Sequence, residues 1–226
     1  MGLPKSTIVR LLQTLEEEGF VNNDRMQGGY QITSLTESLS CGFQRDPLIL
    51  EAGRQSMQDL TREVKWPTSI ALFDFDAVVV RYSTASSSPL APFHSTVNMR
   101  LSLVSRALGR AYLAFCADAV INDIVGVLAR SGNQEDFIAR NPKRLWSNIY
   151  EIRKKGYAER VVGIKPQTST LAVPVMFNGE VRASLGVTYF SSVMSRKEAA
   201  ERLAPSLIAT AQKIGQNLAQ IMEHAS

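Results

Sequence analysis

Cysteine, histidine and long apolar runs are scarce in this sequence, and each shortage argues against a class of function. The chain of 226 residues holds two cysteines and two histidines. Cys41 and Cys116 lie far apart, and neither has a Cys or His neighbour at metal-ligand spacing. Both are expected to be reduced thiols in a cytoplasmic protein, with no disulfide framework and no metal site. His94 and His224 have no partner at a useful spacing. No Gly-x-Ser-x-Gly elbow, Walker loop or metal-ligand cluster occurs. The sequence therefore does not read as an enzyme, and no cofactor is expected. No apolar stretch approaches the roughly 18 residues needed to cross a bilayer. Met1-Gly2-Leu3-Pro4-Lys5-Ser6 leads straight into an amphipathic segment, so neither a secretory leader nor a membrane partner is expected.

What is present is an ordinary globular composition. Hydrophobic residues make up 45% of the chain, enough for a substantial core. The net charge of +4 permits contact with nucleic acid without establishing it. The chain divides between residues 33 and 47. Before that point Ile8, Leu11, Leu12 and Leu15 recur on one helical face, with Ser6, Arg10, Gln13 and Glu17 opposite. Pro4 suits the first turn of this helix and Gly19 its end. Phe20-Val21 and Tyr30-Gln31-Ile32 flank turn-forming residues and predict a two-stranded hairpin. A helix followed by such a hairpin is the second half of a winged helix-turn-helix.

The rest alternates helices and strands. A linker helix is expected around Glu37 to Gln44, then a helix from Asp46-Pro47 to Trp66-Pro67. Ser69 to Phe73 and Ala77 to Tyr82 predict a hairpin around Asp74-Phe75-Asp76. A loop follows to about Met99, and Leu101 to Phe115 reads as helical. Asp118 reads as a helix cap and Asn141-Pro142 as a helix start, with Ile121, Ile124, Val125 and Leu128, then Leu145, Ile149 and Ile152, facing inward. Leu171 to Phe177 and Glu180 to Phe190 flank Asn178-Gly179, a strong hairpin signal. Ser195 and Glu198 suggest a capping box at the start of a last helix that contains Pro205. Two hairpins distant in sequence, joined and flanked by helices, predict an α+β domain of the GAF or PAS kind built on an antiparallel sheet.

Four segments in order carry a family resemblance. Gly2 to Leu12, continued by Leu15-Glu16-Glu17-Glu18-Gly19-Phe20-Val21, resembles the recognition-helix segment of IclR-type transcription regulators. Ala107 to Ala114 is similar to that family's effector-domain helix. Ile152-Arg153 with Gly156-Tyr157-Ala158 resembles the segment before the pocket strands. Leu171 to Val175 with Gly179 and Ala183 to Thr188 resembles the closing hairpin. The resemblance implies a partial winged helix-turn-helix at residues 1–34, a linker helix at 35–46 and an effector-binding domain at 47–226. The helices that precede the recognition helix in the family are not in this sequence, which begins at that point. Val104-Ser105-Arg106 and the lone Glu159 depart from the family pattern. In these details the chain resembles regulators of aromatic-acid breakdown, such as those acting on hydroxyphenylpropionate genes.

The function implied is a DNA-binding regulator of a catabolic operon, controlled by a small carboxylate such as an aromatic acid. It would act as a homodimer or homotetramer on a palindromic double-stranded operator. The alternative is a stand-alone small-molecule sensor that has lost DNA binding. Lys5, Ser6, Thr7, Arg10 and Gln13 would meet phosphates and base edges from the helix start, and Arg25 would do so from the wing. Each also fits a plain solvated surface. Thr170, Gly186 and Thr188 match positions that face the ligand in the family: two hydroxyls for a carboxylate, and room for it. Ser105 and Arg106 lie beside them. Arg106 reads equally as a bidentate partner for an acid or as a surface helix arginine.

Overall fold

The structure is a computed structural model and describes residues 4–24, 28–38, 47–93, 95–163 and 166–224. Arg25, Cys41, His94 and the expected linker beyond Ser38 lie outside the described residues. The chain separates into two compact units, Met1–Pro47 and Leu48–Ser226.

In the first unit, α1 spans Lys5–Glu17, and strands β1 (Val21–Asp24) and β2 (Gly29–Ile32) pair antiparallel with Val21 opposite Ile32. A short helix α2 (Ser34–Ser38) follows. Two hydroxyls tie the chain back to the end of α1. Thr33 Oγ1 donates to the Gly19 carbonyl and Thr36 Oγ1 to the Phe20 carbonyl, each at 2.6 Å. The apolar face expected on α1 is there, yet no residue of the helix is buried, and Leu11 is 53% exposed.

The second unit is a six-stranded antiparallel sheet covered on both faces. Helix α3 (Pro47–Val64) leads into β3 (Thr68–Asp74) and β4 (Ala77–Ser83). After a long loop come β5 (Arg100–Ser102) and helices α4 (Ala107–Ala114), α5 (Asp118–Leu128) and α6 (Pro142–Lys155). Strands β6 (Ala158–Glu159), β7 (Thr168–Phe177) and β8 (Glu180–Phe190) precede the long helix α7 (Arg196–His224). Sheet order is β5-β4-β3-β8-β7-β6. The two expected hairpins therefore join through β3 and β8, with Ile70 opposite Leu185.

Strand alternation decides the layering. Ile70, Leu72, Leu171, Val173, Leu185 and Val187 point to one face, where they pack with Met57 and Leu60 of α3 and Leu203, Leu207 and Ile214 of α7. Ala71, Val78, Val80 and Ala172 point to the other, against α4, α5 and α6. Small residues on that second face let α4 come close. The Phe73 and Tyr112 rings stack with centroids 5.2 Å apart. A Cβ on Gly109 would stand 2.2 Å from the Ser102 carbonyl oxygen, closer than any real contact.

Three local expectations need correction. Residues 101–106 are not helical: Arg100–Ser102 forms β5, and Arg106 is the N-cap of α4. The edge strand is fastened by Arg100, which holds Asp74 and Asp76 of the β3–β4 turn at 2.6 Å each. Asp118 is the first residue of α5 rather than its cap, and its carboxylate pairs with Arg153 at 2.8 Å. Only half of the capping box forms. Ser195 Oγ accepts from the Glu198 amide at 3.2 Å, while the Glu198 carboxylate accepts from Arg202 at 3.0 Å.

Gly109→Ala is expected to destabilise the full chain by about 3 kcal/mol in urea unfolding, because α4 must lift off the strand. Gly126→Ala, in the exposed middle of α5 with nothing near its Cβ, is expected to stabilise it by about 0.5–1 kcal/mol. Similar effects at the two positions would contradict the packing described.

Candidate functional site

The close seat of α4 on the sheet leaves a cavity of about 60 Å³ beside its N-terminus. Val80, Met99, Leu101 and Leu108 form its apolar wall, and Phe93 closes one side. The polar residues are Thr96, Arg106, Arg160, Thr170 and Thr188. Thr170 and Thr188 face each other across β7 and β8, with their hydroxyl oxygens 3.0 Å apart. Sheet alternation puts both on the α4 side, the face opposite Leu171 and Val187.

Arg160 had not been singled out from the sequence, yet it is the most consequential side chain here. It follows the two-residue strand β6 and is 7% exposed. Its Nη1 donates to Thr168 Oγ1 at 3.0 Å and to the Thr168 carbonyl at 3.2 Å, and its Nη2 donates to Thr170 Oγ1. Burial pushes the guanidinium pKa down to about 10, and the neighbouring charge of Arg106 pushes the same way. A carboxylate entering the cavity would meet this group together with two hydroxyls, which suits bidentate recognition.

Arg106 does line the cavity, so it is not the plain surface arginine the sequence left open. Much of its donor capacity is used internally. Its Nε donates to Glu135 Oε2 at 2.7 Å and its Nη2 to Oε1, a bidentate pair. Ser105 is fully buried and donates to the same carboxylate at 2.9 Å. Ser105 therefore helps hold the Arg106–Glu135 pair and does not line the cavity. Gly186 also differs from expectation. A Cβ there would meet Leu108 Cδ2 at 3.0 Å, so the room it leaves is filled by the helix side chain.

Other sequence candidates fall elsewhere. Trp66 and Tyr189 pack on the opposite face. Cys116 is a free, buried thiol whose pKa burial raises to about 11, which makes it a poor nucleophile. In the first unit Lys5, Ser6, Arg10 and Gln13 are exposed and Thr7 is half-buried. The first turn of α1 has no acidic residue, and the cap supplies no side-chain hydrogen bond. The positive end of the helix dipole is thus unopposed by its own side chains, as an anion-facing terminus requires. No described helix is long and apolar enough to cross a membrane.

Residues 45–216 match the bacterial transcriptional regulator IclR C-terminal domain, and residues 1–25 match the IclR helix-turn-helix domain. The chain belongs to the IclR family. Among curated relatives it is 26% identical over 204 residues to the HTH-type transcriptional regulator KdgR of Escherichia coli (strain K12), spanning 89% of this chain and 76% of that protein. It is 22% identical over 219 residues to the Pca regulon regulatory protein of Pseudomonas putida, spanning 94% and 72%. The fold is that of the Thermotoga maritima IclR structure, with a TM-score of 0.72 at 21% identity over 96% of this chain and 86% of that one. A structure of an IclR homolog from Microbacterium hydrocarbonoxydans, complexed with 4-hydroxybenzoate, superposes with a TM-score of 0.68 at 17% identity, covering 96% and 87%. Members of the IclR family are transcriptional regulators and not enzymes, with a DNA-binding helix-turn-helix and a C-terminal effector-binding domain.

Substitution at Arg160 separates recognition from folding. Arg160→Met removes a costly buried charge and is expected to leave thermal stability near that of the parent chain. It is expected to weaken binding of a small carboxylate at least about tenfold in calorimetry. Arg106→Met should weaken it less, since Glu135 already engages that guanidinium. Equal losses from the two would contradict this division of roles.

Proposed function

We propose that this IclR-family regulator responds to an aromatic carboxylate and controls a catabolic operon. The observation that carries the reading is the pairing of a buried guanidinium and two hydroxyls with an apolar wall in one cavity. Arg160, Thr170 and Thr188 supply the carboxylate end, and Phe93, Met99 and Leu101 the ring end. A hydroxyphenylpropionate is the member of this class favoured by the sequence resemblance. The 4-hydroxybenzoate in the Microbacterium homolog supports the chemical class. A cavity of about 60 Å³ is well below the roughly 300 Å³ common for ligand sites. Binding therefore requires Phe93 and the loop before β5 to move outward, and that movement distinguishes the liganded state from the free one.

DNA contact is assigned to Lys5, Ser6, Thr7, Arg10 and Gln13 from the start of α1 and to Arg25 from the hairpin. Residues 1–34 form the DNA-binding part, 35–46 the link and 47–226 the effector domain. One such domain grips few phosphates, so a homodimer or homotetramer on a palindromic operator is the arrangement that supplies enough contacts.

Fluorescence anisotropy with double-stranded DNA from the gene's own upstream region tests this part. Affinity is expected to fall as salt rises, and Lys5→Ala and Arg10→Ala should each reduce the log–log slope by about 1. Absence of salt-dependent binding would leave the sensor-module alternative instead. Thermal shift with 4-hydroxybenzoate and 3-(4-hydroxyphenyl)propionate tests the effector class. Stabilisation at millimolar concentration is expected; no shift with either acid would remove the aromatic assignment.

A further inference from the structure

A second cavity, of about 200 Å³, is lined by Arg110 of α4, by α6 and by the start of α7. Its chemistry is unlike that of the first. Arg110, Arg144, Lys155, Arg160 and Arg196 line it, against two carboxylates, Glu151 and Glu159. Five cations from four parts of the chain thus surround one small space, with an excess of three positive charges. Arg160 belongs to the linings of both cavities.

Arg110 and Arg160 already donate to oxygens of the chain; the other three cations differ. Among the described residues, Arg144, Lys155 and Arg196 have no carboxylate within ion-pair distance. Arg196 depresses the pKa of both Arg110 and Arg160, whose guanidiniums burial already pushes down. The positive potential is therefore concentrated, and it is left for something else to neutralise.

Glu159 adds a second requirement. Its Oε1 is buried and has no hydrogen-bond partner among the described residues. A buried acceptor of this kind costs free energy until a donor reaches it. The Arg110 guanidinium, although near, donates to the Glu159 backbone carbonyl instead. A ligand that suits this cleft offers negative oxygens to the guanidiniums and one hydroxyl proton to Glu159.

We propose that this cleft is a binding site for a hydroxyl-bearing oxyanion, hydrogen phosphate or a small phosphorylated polyol, adjoining the carboxylate pocket at Arg160 but otherwise lined by different residues. Sulfate has the same shape and charge as hydrogen phosphate but carries no proton to donate, so the site discriminates between them. The aromatic pocket need not be occupied for this binding.

Isothermal titration calorimetry of the full chain, at ionic strength held constant with sodium chloride, tests the proposal with inorganic phosphate, glycerol 3-phosphate and sulfate. Saturable millimolar or tighter binding of phosphate or glycerol 3-phosphate is expected, with sulfate weaker. The tighter of the first two identifies the free anion or the ester as the source. The double variant Arg144→Gln/Arg196→Gln breaks no ion pair and should keep the parent's circular dichroism spectrum. It should lose at least about tenfold in phosphate affinity. Lys155→Gln, on the exposed rim, is the second variant and should show a smaller loss in the same direction. No saturable binding of phosphate or ester, sulfate binding as tight as phosphate, or unchanged affinity in the folded double variant would each overturn the proposal.

Discussion

Helix α4 lies against the sheet at a distance set by an absent side chain. Gly109 brings the helix backbone onto the end of β5, where even a methyl group would collide with the Ser102 carbonyl. Gly186 does the complementary job below, giving Leu108 a place on the sheet surface. With these two contacts made, the helix N-terminus stands where Arg106 reaches Glu135 at one end, while Arg110 reaches the Glu159 carbonyl further along. Arg160 comes up from β6 toward the same helix. The first cavity is a consequence of where this helix sits, and the second takes Arg110 from it.

The charge arrangement follows from that placement. A buried guanidinium is expensive, and here Thr168 and Thr170 accept hydrogen bonds from it. Threonine oxygens satisfy geometry but bring no countercharge. Burial, and then the neighbouring Arg106 charge, lowers the Arg160 pKa. Under the proposed function an acid ligand would add a negative charge beside this buried cation. A regulator gains from this, because the liganded and free states then differ in more than added contacts.

Much of the architecture was legible in the residues. The α1 stripe, the Asn178-Gly179 hairpin and the inward faces of α5 and α6 all follow from periodicity and turn chemistry. Asn178 and Gly179 do adopt positive φ, 50° and 79°, as such a turn demands. The start of α4 was misread because β5 has only three residues, too few for alternation to register. Its existence rests on the Arg100 clamp to Asp74 and Asp76, a contact between residues more than twenty apart. Arg160 was missed for a related reason. A two-residue strand carries no pattern, and an arginine two positions after an alanine reads as surface until Thr168 and Thr170 are known to lie beside it. Thr170 and Thr188 came from the resemblance and do meet across the hairpin. Gly186 came from the same source and serves the helix.

The central claim is that the Arg160 cavity is the place where a small acid controls DNA binding. The direct measurement is the operator dissociation constant of the full chain with and without saturating 4-hydroxybenzoate, for the parent and for Arg160→Met. The account predicts that the acid changes the parent's constant by a factor of about 5 or more, while the variant binds DNA as the parent does without acid and no longer responds. An acid response of equal size in the variant, or none in the parent that binds the acid, would contradict it.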